Sequence, residues 1–244
     1  MKLTYREFLQ HCKKTPPRIY YTWIYHQIAY PLSYILFILG FSANAISALA
    51  ILVSGVGAYF VFQKNLLAGL LVFLLSYLLD CSDGNVARVR YGYLGEARGA
   101  QQQLGLLLEN LYTNASTFLF FISLGYYFTA IENNFGYLWL AVTAAGIKLI
   151  TRYTILHMNI LRNPETKKSD SEEGDGQLFR PGFLNETKFF FVRVANSARL
   201  YFVAFLLVFL LWPRELASVF VWYFSFIIVL SFAKLFLVLA RKQS

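Results

Sequence analysis

The chain has 244 residues, 57% of them hydrophobic, 18% aromatic and only 14% charged, with a net charge of +9. Soluble domains carry about 25% charged residues, so the composition excludes an ordinary soluble enzyme or binding module and points to a membrane protein. The positive balance is explained by cationic membrane-flanking loops and contact with anionic headgroups. No nucleic-acid motif accompanies it, and no nucleic-acid partner is expected.

The N-terminal arm, MKLTYREFLQHCKK, is charged and lacks the apolar core and small-residue cleavage site of a signal peptide. From Ile19 to Gln63 there is no Asp, Glu, Lys or Arg. The stretch WIYHQIAYPLSYILFILG at 23–40 is open to two readings, a further span or a helix lying on the membrane. Pro31, Trp23 and the tyrosines suit the interfacial reading better, since Tyr and Trp prefer the headgroup level. A span needs ~20 apolar residues. Six segments qualify, at about 42–62, 66–82, 100–129, 135–158, 194–212 and 216–240.

The expected fold is therefore an all-α integral membrane protein. Six transmembrane helices (42–240) follow an N-terminal arm and amphipathic interfacial helix (1–41), and a polar loop at 163–193 joins the fourth and fifth spans. The acidic run in that loop reads as a solvated linker. With these spans, sixteen Lys and Arg residues fall on one side and two, Lys64 and Arg214, on the other. The positive side is the cytoplasmic one, so both termini are expected in the cytoplasm, and the membrane is expected to be a bacterial inner membrane. Cys12 and Cys81 are not spaced as a metal knuckle and read as packing residues. His26 and His157 have no metal-ligand spacing. Two glycosylation-like triplets begin at Asn114, inside a span, and Asn185, on the cytoplasmic side. Both are discounted.

The chemistry lies at the end of the second expected span, in DCSDGNVAR at 80–88. On a helix, positions 80, 83, 84, 87 and 88 share one face or nearly so. The paired carboxylates of Asp80 and Asp83 repel each other, and a divalent cation relieves that repulsion. Mg²⁺ typically takes one or two carboxylates plus substrate phosphates. Gly84 and Ala87 leave room for a ligand to approach the backbone, and Arg88 suits bidentate pairing with a phosphate. Helix-end charges without function are the alternative, but ionisable groups within a span are costly and usually functional.

This stretch resembles the start of the CDP-alcohol phosphatidyltransferase signature: Asp, two residues, Asp-Gly, two residues, Ala-Arg, about eight residues, Gly, three residues, Asp, three residues, Asp. FSANAIS at 41–47 is similar to that family's Ser/Thr-Pro-Asn-x-Val-Thr segment, with Ala43 where Pro is usual. The resemblance implies transfer of a substituted phosphate from a CDP-linked donor, CDP-diacylglycerol or another CDP-alcohol, to an alcohol, with release of CMP. It implies Mg²⁺ or Mn²⁺ held by Asp80 and Asp83, and a nucleotide pocket lined by Asp80, Asp83, Gly84, Ala87 and Arg88. Membrane lipids and the CDP-linked donor are the implied partners, with a homodimer or partner-subunit complex as the assembly.

The second half of the signature departs from the family. An unchanged spacer puts Ala97 at the glycine and Gln101 and Gly105 at the third and fourth Asp. Starting instead from Gly99 gives Gln103 and Leu107, and starting from Gly95 gives Gly99 and Gln103. No alignment recovers an Asp, so the third metal ligand and the base are missing. The nearest acids, Glu96 and Glu109, are the candidates for the base. Lys148 and Arg152, spaced i, i+4, and Arg199 resemble the basic residues with which the family holds an anionic acceptor or lipid phosphate. Snorkelling to the interface is the alternative for them, and the better reading for Lys234. The functional expectation is a metal-dependent membrane transferase in lipid or surface-glycan biosynthesis. The alternative is a catalytically degenerate relative serving as a lipid- or nucleotide-binding partner subunit. A transporter ranks last, because the charges cluster near one face instead of lining a midplane path.

Overall fold

The computed structural model describes residues 3–12, 20–94, 99–162, 198–211 and 215–240. Among them all regular structure is helical: α1 (Tyr5–Cys12), α2 (Tyr20–Ile38), α3 (Ala43–Phe62), α4 (Leu66–Ala87) continued by a π-helical segment (Arg88–Tyr93), α5 (Gly99–Glu132), α6 (Gly136–Arg162), α7 (Ala198–Leu211) and α8 (Leu216–Ala240). Four are long and apolar enough to cross a membrane, at Ala43–Phe62, Leu66–Tyr93, Gln103–Glu132 and Leu216–Ala233. The expected spans at 135–158 and 194–212 correspond to α6 and α7, which are helices but not among those four. The loop 163–193 and the second glycosylation-like triplet lie outside the described residues.

The chain divides into two compact units, Met1–Tyr127 and Phe128–Ser244. In the first, α3 and α4 form an antiparallel pair. Asn65 caps the start of α4 by accepting from the Ala68 amide at 3.3 Å. The two helices cross where both carry glycine. A Cβ at Gly69 would stand 2.3 Å from Val61 Cγ2 and 3.0 Å from the Gly57 carbonyl oxygen. Small residues at such a crossing let the backbones approach. Gly69→Ala is therefore expected to destabilise the protein by about 1–3 kcal/mol through overpacking. Thermal unfolding in detergent checks this against Gly55→Ala, whose added Cβ meets nothing within 4 Å. Equal midpoints for the two variants would remove the argument.

Helix α2 runs parallel to α4 and packs along it, with Tyr25 beside Tyr77 (5.0 Å between ring centroids) and Ser33 beside Asn85. It continues through Pro31, which is exposed. Ile28, Ile35 and Ile38 are exposed on the outer side of α2, whereas Ala29, Tyr30, Ser33 and Leu36 are buried. At its end Gly40, with φ +82°, closes a Schellman turn: its amide reaches the Phe37 carbonyl and the Phe41 amide reaches that of Leu36, both at 3.0 Å. Ser42 then caps α3, accepting from the Ala45 amide at 3.2 Å. This tight turn sets the start of α3 beside the end of α4.

Helix α1 opens with a capping box, TYRE. The Thr4 amide and hydroxyl both donate to Glu7 at 2.8 Å, and these bonds hold the Glu7 carboxyl below its ordinary range. Its apolar face is spent on protein. Phe8 and Cys12 are fully buried with Leu3, Tyr30 and Val89, and the Leu3 carbonyl accepts from the Tyr34 hydroxyl at 3.1 Å. His11 stacks on Tyr93 at 3.6 Å. Cys12 and Cys81 are buried free thiols, as packing residues should be.

In the second unit α6 packs on α8, and α8 also meets α7. Aromatic side chains fill the space between them: Phe220 stacks on Phe224 at 4.2 Å and lies 4.8 Å from Phe128, and Phe205 sits edge-on to Tyr223 at 5.6 Å.

The second expected span, 66–82, needs correcting. The helix does not end there but runs on to Ala87 and, as a π segment, to Tyr93. The polar residues beyond 82 do not stop it because Asp83, Asn85 and Arg88 each find a partner within the unit.

Candidate active site

The end of the first unit where α4 finishes gathers the start of α3, the start of α5 and the last turns of α2. Asp80 and Asp83 sit one turn apart on α4. Asp80 is 8% exposed, while Asp83 is half-buried. A carboxylate at the centre of a bilayer-spanning helix costs about 2.5–3.5 kcal/mol on insertion scales, so such acids need partners. Asp83 has one in Ser47: its Oδ2 accepts a short hydrogen bond from the Ser47 hydroxyl. Ser47 lies beyond the cap Ser42 on the same helix, so the FSANAIS segment has two separable tasks. Ser42 starts α3, and Ser47 reaches across to Asp83. Ala43, where the resembled segment has Pro, is the first helical residue, a position at which Pro is well tolerated. Removing a hydrogen bond to a charged group typically costs about 1.5–3 kcal/mol. Ser47→Ala is thus expected to lower the thermal midpoint clearly below that of wild type, and an unchanged midpoint would show the contact to be idle.

Helix α5 supplies the third wall. A Cβ at Gly105 would lie 3.0 Å from Asn44 Oδ1, so α5 touches the first turn of α3 at that residue. Tyr112, two turns on, is buried and within 3.2 Å of the Ser76 hydroxyl, and Phe120 meets Phe73 at 5.1 Å. Positions 105, 112, 116 and 120 therefore turn inward on α5, and 109 is in phase with them at i, i+4, i+7 spacing, although it is exposed. Gln103 and Leu107 are exposed, Leu107 by 62%. Of the three alignments of the signature, the unchanged spacer is the one that brings its fourth position, 105, against α3. Glu109 follows one turn later in the same phase of the helix, with its side chain exposed. Glu96, Ala97 and Arg98 lie outside the described residues, as do the side chains of Gln101 and Arg199.

Gly84 and Ala87 are half-buried on α4 beside Asp83. Arg88 is anchored: its Nε donates to the Cys12 carbonyl at 3.0 Å and its Nη2 to Asn85 Oδ1. The third nitrogen, Nη1, is turned toward Gly84, 3.5 Å from where a Cβ would stand. Lys148 and Arg152 are half-buried on α6, and Arg199 lies in the first turn of α7, so all three belong to the second unit. Among the described residues, a hollow of about 300 Å³ in that unit is lined by Asn134, Gly136, Tyr137, Leu140, Val221 and Ser225, none of them an acid or base suited to the expected chemistry.

Three participants are given no role by the sequence reading. Ser47 falls on the Thr that closes the resembled Ser/Thr-Pro-Asn-x-Val-Thr segment, a hydroxyl signal whose partner only the structure supplies. Asn85 occupies an unassigned position of the signature, although a polar amide in an apolar helix is itself a signal. Ser33 carries no signal in the sequence beyond its hydroxyl.

Among the described residues no three His, Cys, Asp or Glu side chains converge as a closed metal cluster. The donor set of Asp80, Asp83 and substrate phosphates fits one hard cation with an open coordination shell. It does not fit a two-metal site held by four protein carboxylates.

The fold and site define a helical integral membrane protein with an acid pair and an arginine at one end of a span. The sequence model of the CDP-alcohol phosphatidyltransferase family matches residues 41–93, consistent with a family member. The matched segment comprises α3, α4 and the π segment, and it stops before the region where the signature's last two acids are replaced. A general transferase role in phospholipid biosynthesis is supported by this match. Comparison with curated proteins gives no match.

Proposed function

We propose that the protein transfers a substituted phosphate from a CDP-linked donor to an alcohol, with release of CMP, at the end of α4. The observation that carries this reading is the family-matched segment itself, in which Ser47 of α3 bonds Asp83 one turn from Asp80 and Arg88 Nη1 is turned toward Gly84. The donor's pyrophosphate lies over Gly84, against Arg88 Nη1. A divalent cation, Mg²⁺ or Mn²⁺, held by Asp80 and Asp83 supplies charge neutralisation there. Ser47 keeps Asp83 in the rotamer that faces the pocket. The acceptor's hydroxyl oxygen bonds to the phosphorus distal to cytidine. The bond from that phosphorus to the bridging oxygen breaks, and CMP leaves with the electron pair. Glu109 takes the hydroxyl proton. With Gly105 and Gln101 at the last two signature positions, Glu109 is the acid on α5 nearest those positions among the described side chains. Within the second unit, Lys148, Arg152 and Arg199 are the residues for binding an anionic group such as a phosphorylated acceptor. The termini face the cytoplasm, and the working unit is a homodimer or a complex with a partner subunit.

The test is CMP release by the purified chain in detergent. The donors are CDP-diacylglycerol and other CDP-alcohols, with Mg²⁺ or Mn²⁺ and a panel of alcohols including phosphorylated ones. Metal-dependent, acceptor-dependent CMP release is expected. Binding of CDP through Asp80 and Asp83 without turnover on any donor–acceptor pair would mark a non-catalytic relative and overturn the proposal.

A further inference from the structure

The guanidinium of Arg88 is held by a directional chain of hydrogen bonds that begins on α2. Ser33 donates its hydroxyl proton to the Ala29 carbonyl at 2.6 Å. With that proton committed, Ser33 Oγ can only accept, and it does so from Asn85 Nδ2 at 2.9 Å. The carboxamide of Asn85 is thereby oriented: its nitrogen must face Ser33, so its oxygen must face Arg88 Nη2. Both Ser33 and Asn85 are fully buried, so water does not compete for these bonds. Arg88 Nε is fixed from the other side by the carbonyl of Cys12, the last residue of α1 and the negative end of that helix. Two of the three guanidinium nitrogens are thus occupied by protein, and Nη1 faces Gly84, next to Asp83.

We infer that Asn85, oriented by Ser33, is a positioning residue that aims Arg88 Nη1 at the donor's phosphate. The inference rests on the proposed CDP-linked donor and adds to it a device outside the recognised signature residues. An arginine on a membrane helix has many rotamers and is drawn toward water or headgroups. Clamping two nitrogens removes that freedom before the ligand arrives, so less ordering entropy is lost on binding. The clamp also leaves Arg88 its charge, because both acceptors are neutral. A carboxylate in place of Asn85 would still accept from the guanidinium, but it would neutralise it and would have no proton to give Ser33 Oγ.

The test is equilibrium binding of CDP with Mg²⁺ to the purified full chain in detergent, in a cycle of wild type, Asn85→Ala, Arg88→Ala and the double variant. Loss of an interaction with a charged group predicts about 10-fold or greater weakening for each single variant. Because Asn85 acts through Arg88, the double variant is expected to bind no more weakly than Arg88→Ala alone. Asn85→Asp keeps the shape of the side chain and is expected to weaken CDP binding as well, with a thermal midpoint at or above that of Asn85→Ala. A purely structural role would not give this pattern. If Asn85→Ala proves too unstable to assay, Ser33→Ala and Asn85→Asp carry the same readout. Additive losses in the double variant, or CDP binding by the Asn85 variants equal to wild type, overturn the positioning role while leaving the transferase reading intact. A wild-type chain that binds no CDP overturns the transferase reading, and the positioning role falls with it.

Discussion

Asp83→Asn is expected to reduce metal-dependent CMP release by about 100-fold or more, the scale of losing one preorganised electrostatic contact at a reacting phosphoryl group. The substitution is nearly isosteric, and the new amide oxygen still accepts from Ser47, so folding should survive. What disappears is the charge. Asp80 and Asp83 stand one turn apart on α4, so two carboxylates charged together there repel each other. A cation bound between Asp80 and Asp83 relieves the repulsion, and removing one of the two charges removes most of the reason for it to bind. Raising Mg²⁺ should recover part of the lost rate. A variant that keeps more than about a third of wild-type turnover, without change in its Mg²⁺ dependence, would place the reaction elsewhere.

Glu109→Gln is the second large effect, with an expected loss of about 10²–10⁴-fold in CMP release, the usual contribution of a positioned general base. Affinity for CDP should change little, because the base proposed here acts on the acceptor's hydroxyl and not on the nucleotide. The physical reason to choose this residue is the phase of α5. Gly105 touches Asn44, Tyr112 touches Ser76, and Glu109 lies between them in the same phase of the helix. It stands one turn from the position where the family carries its last acid. The loss should also shrink as pH rises, because free hydroxide and a more ionised acceptor replace the missing base. If Glu109→Gln is fully active while Asp83→Asn is not, the base lies elsewhere, and Glu96 becomes the residue to change. If both variants match wild type, the acid pair and the phase of α5 have been misread together.

Much of this is legible in the amino-acid sequence. Uncharged runs and the positive flanks mark a membrane protein. The helices α3, α4, α5 and α8 stand at four of the expected spans, and DCSDGNVAR marks the place of the site. What is not legible has a common cause. Three alignments of the signature's second half are equally good by sequence, because each replaces acids with residues of no chemical preference. The choice turns on which face of α5 meets α3, and that face is set by Gly105 fitting against Asn44. The early end expected for α4 fails for a similar reason: Asp83, Asn85 and Arg88 look like helix-end residues until their partners on α3, α2 and α1 are known.

Composition, hydropathy and one motif therefore determined the class of protein, the positions of four of its apolar helices and the place of the acid pair on α4, because these depend on local periodicity and on the cost of charge in lipid. The tertiary structure alone decided that Ser47 holds Asp83, that Ser33 and Asn85 hold Arg88, and that the face of α5 carrying Gly105 meets α3. Each of those depends on a contact between helices far apart in the chain or on a choice of helix face. Local sequence carries periodicity but not the distance between two helices.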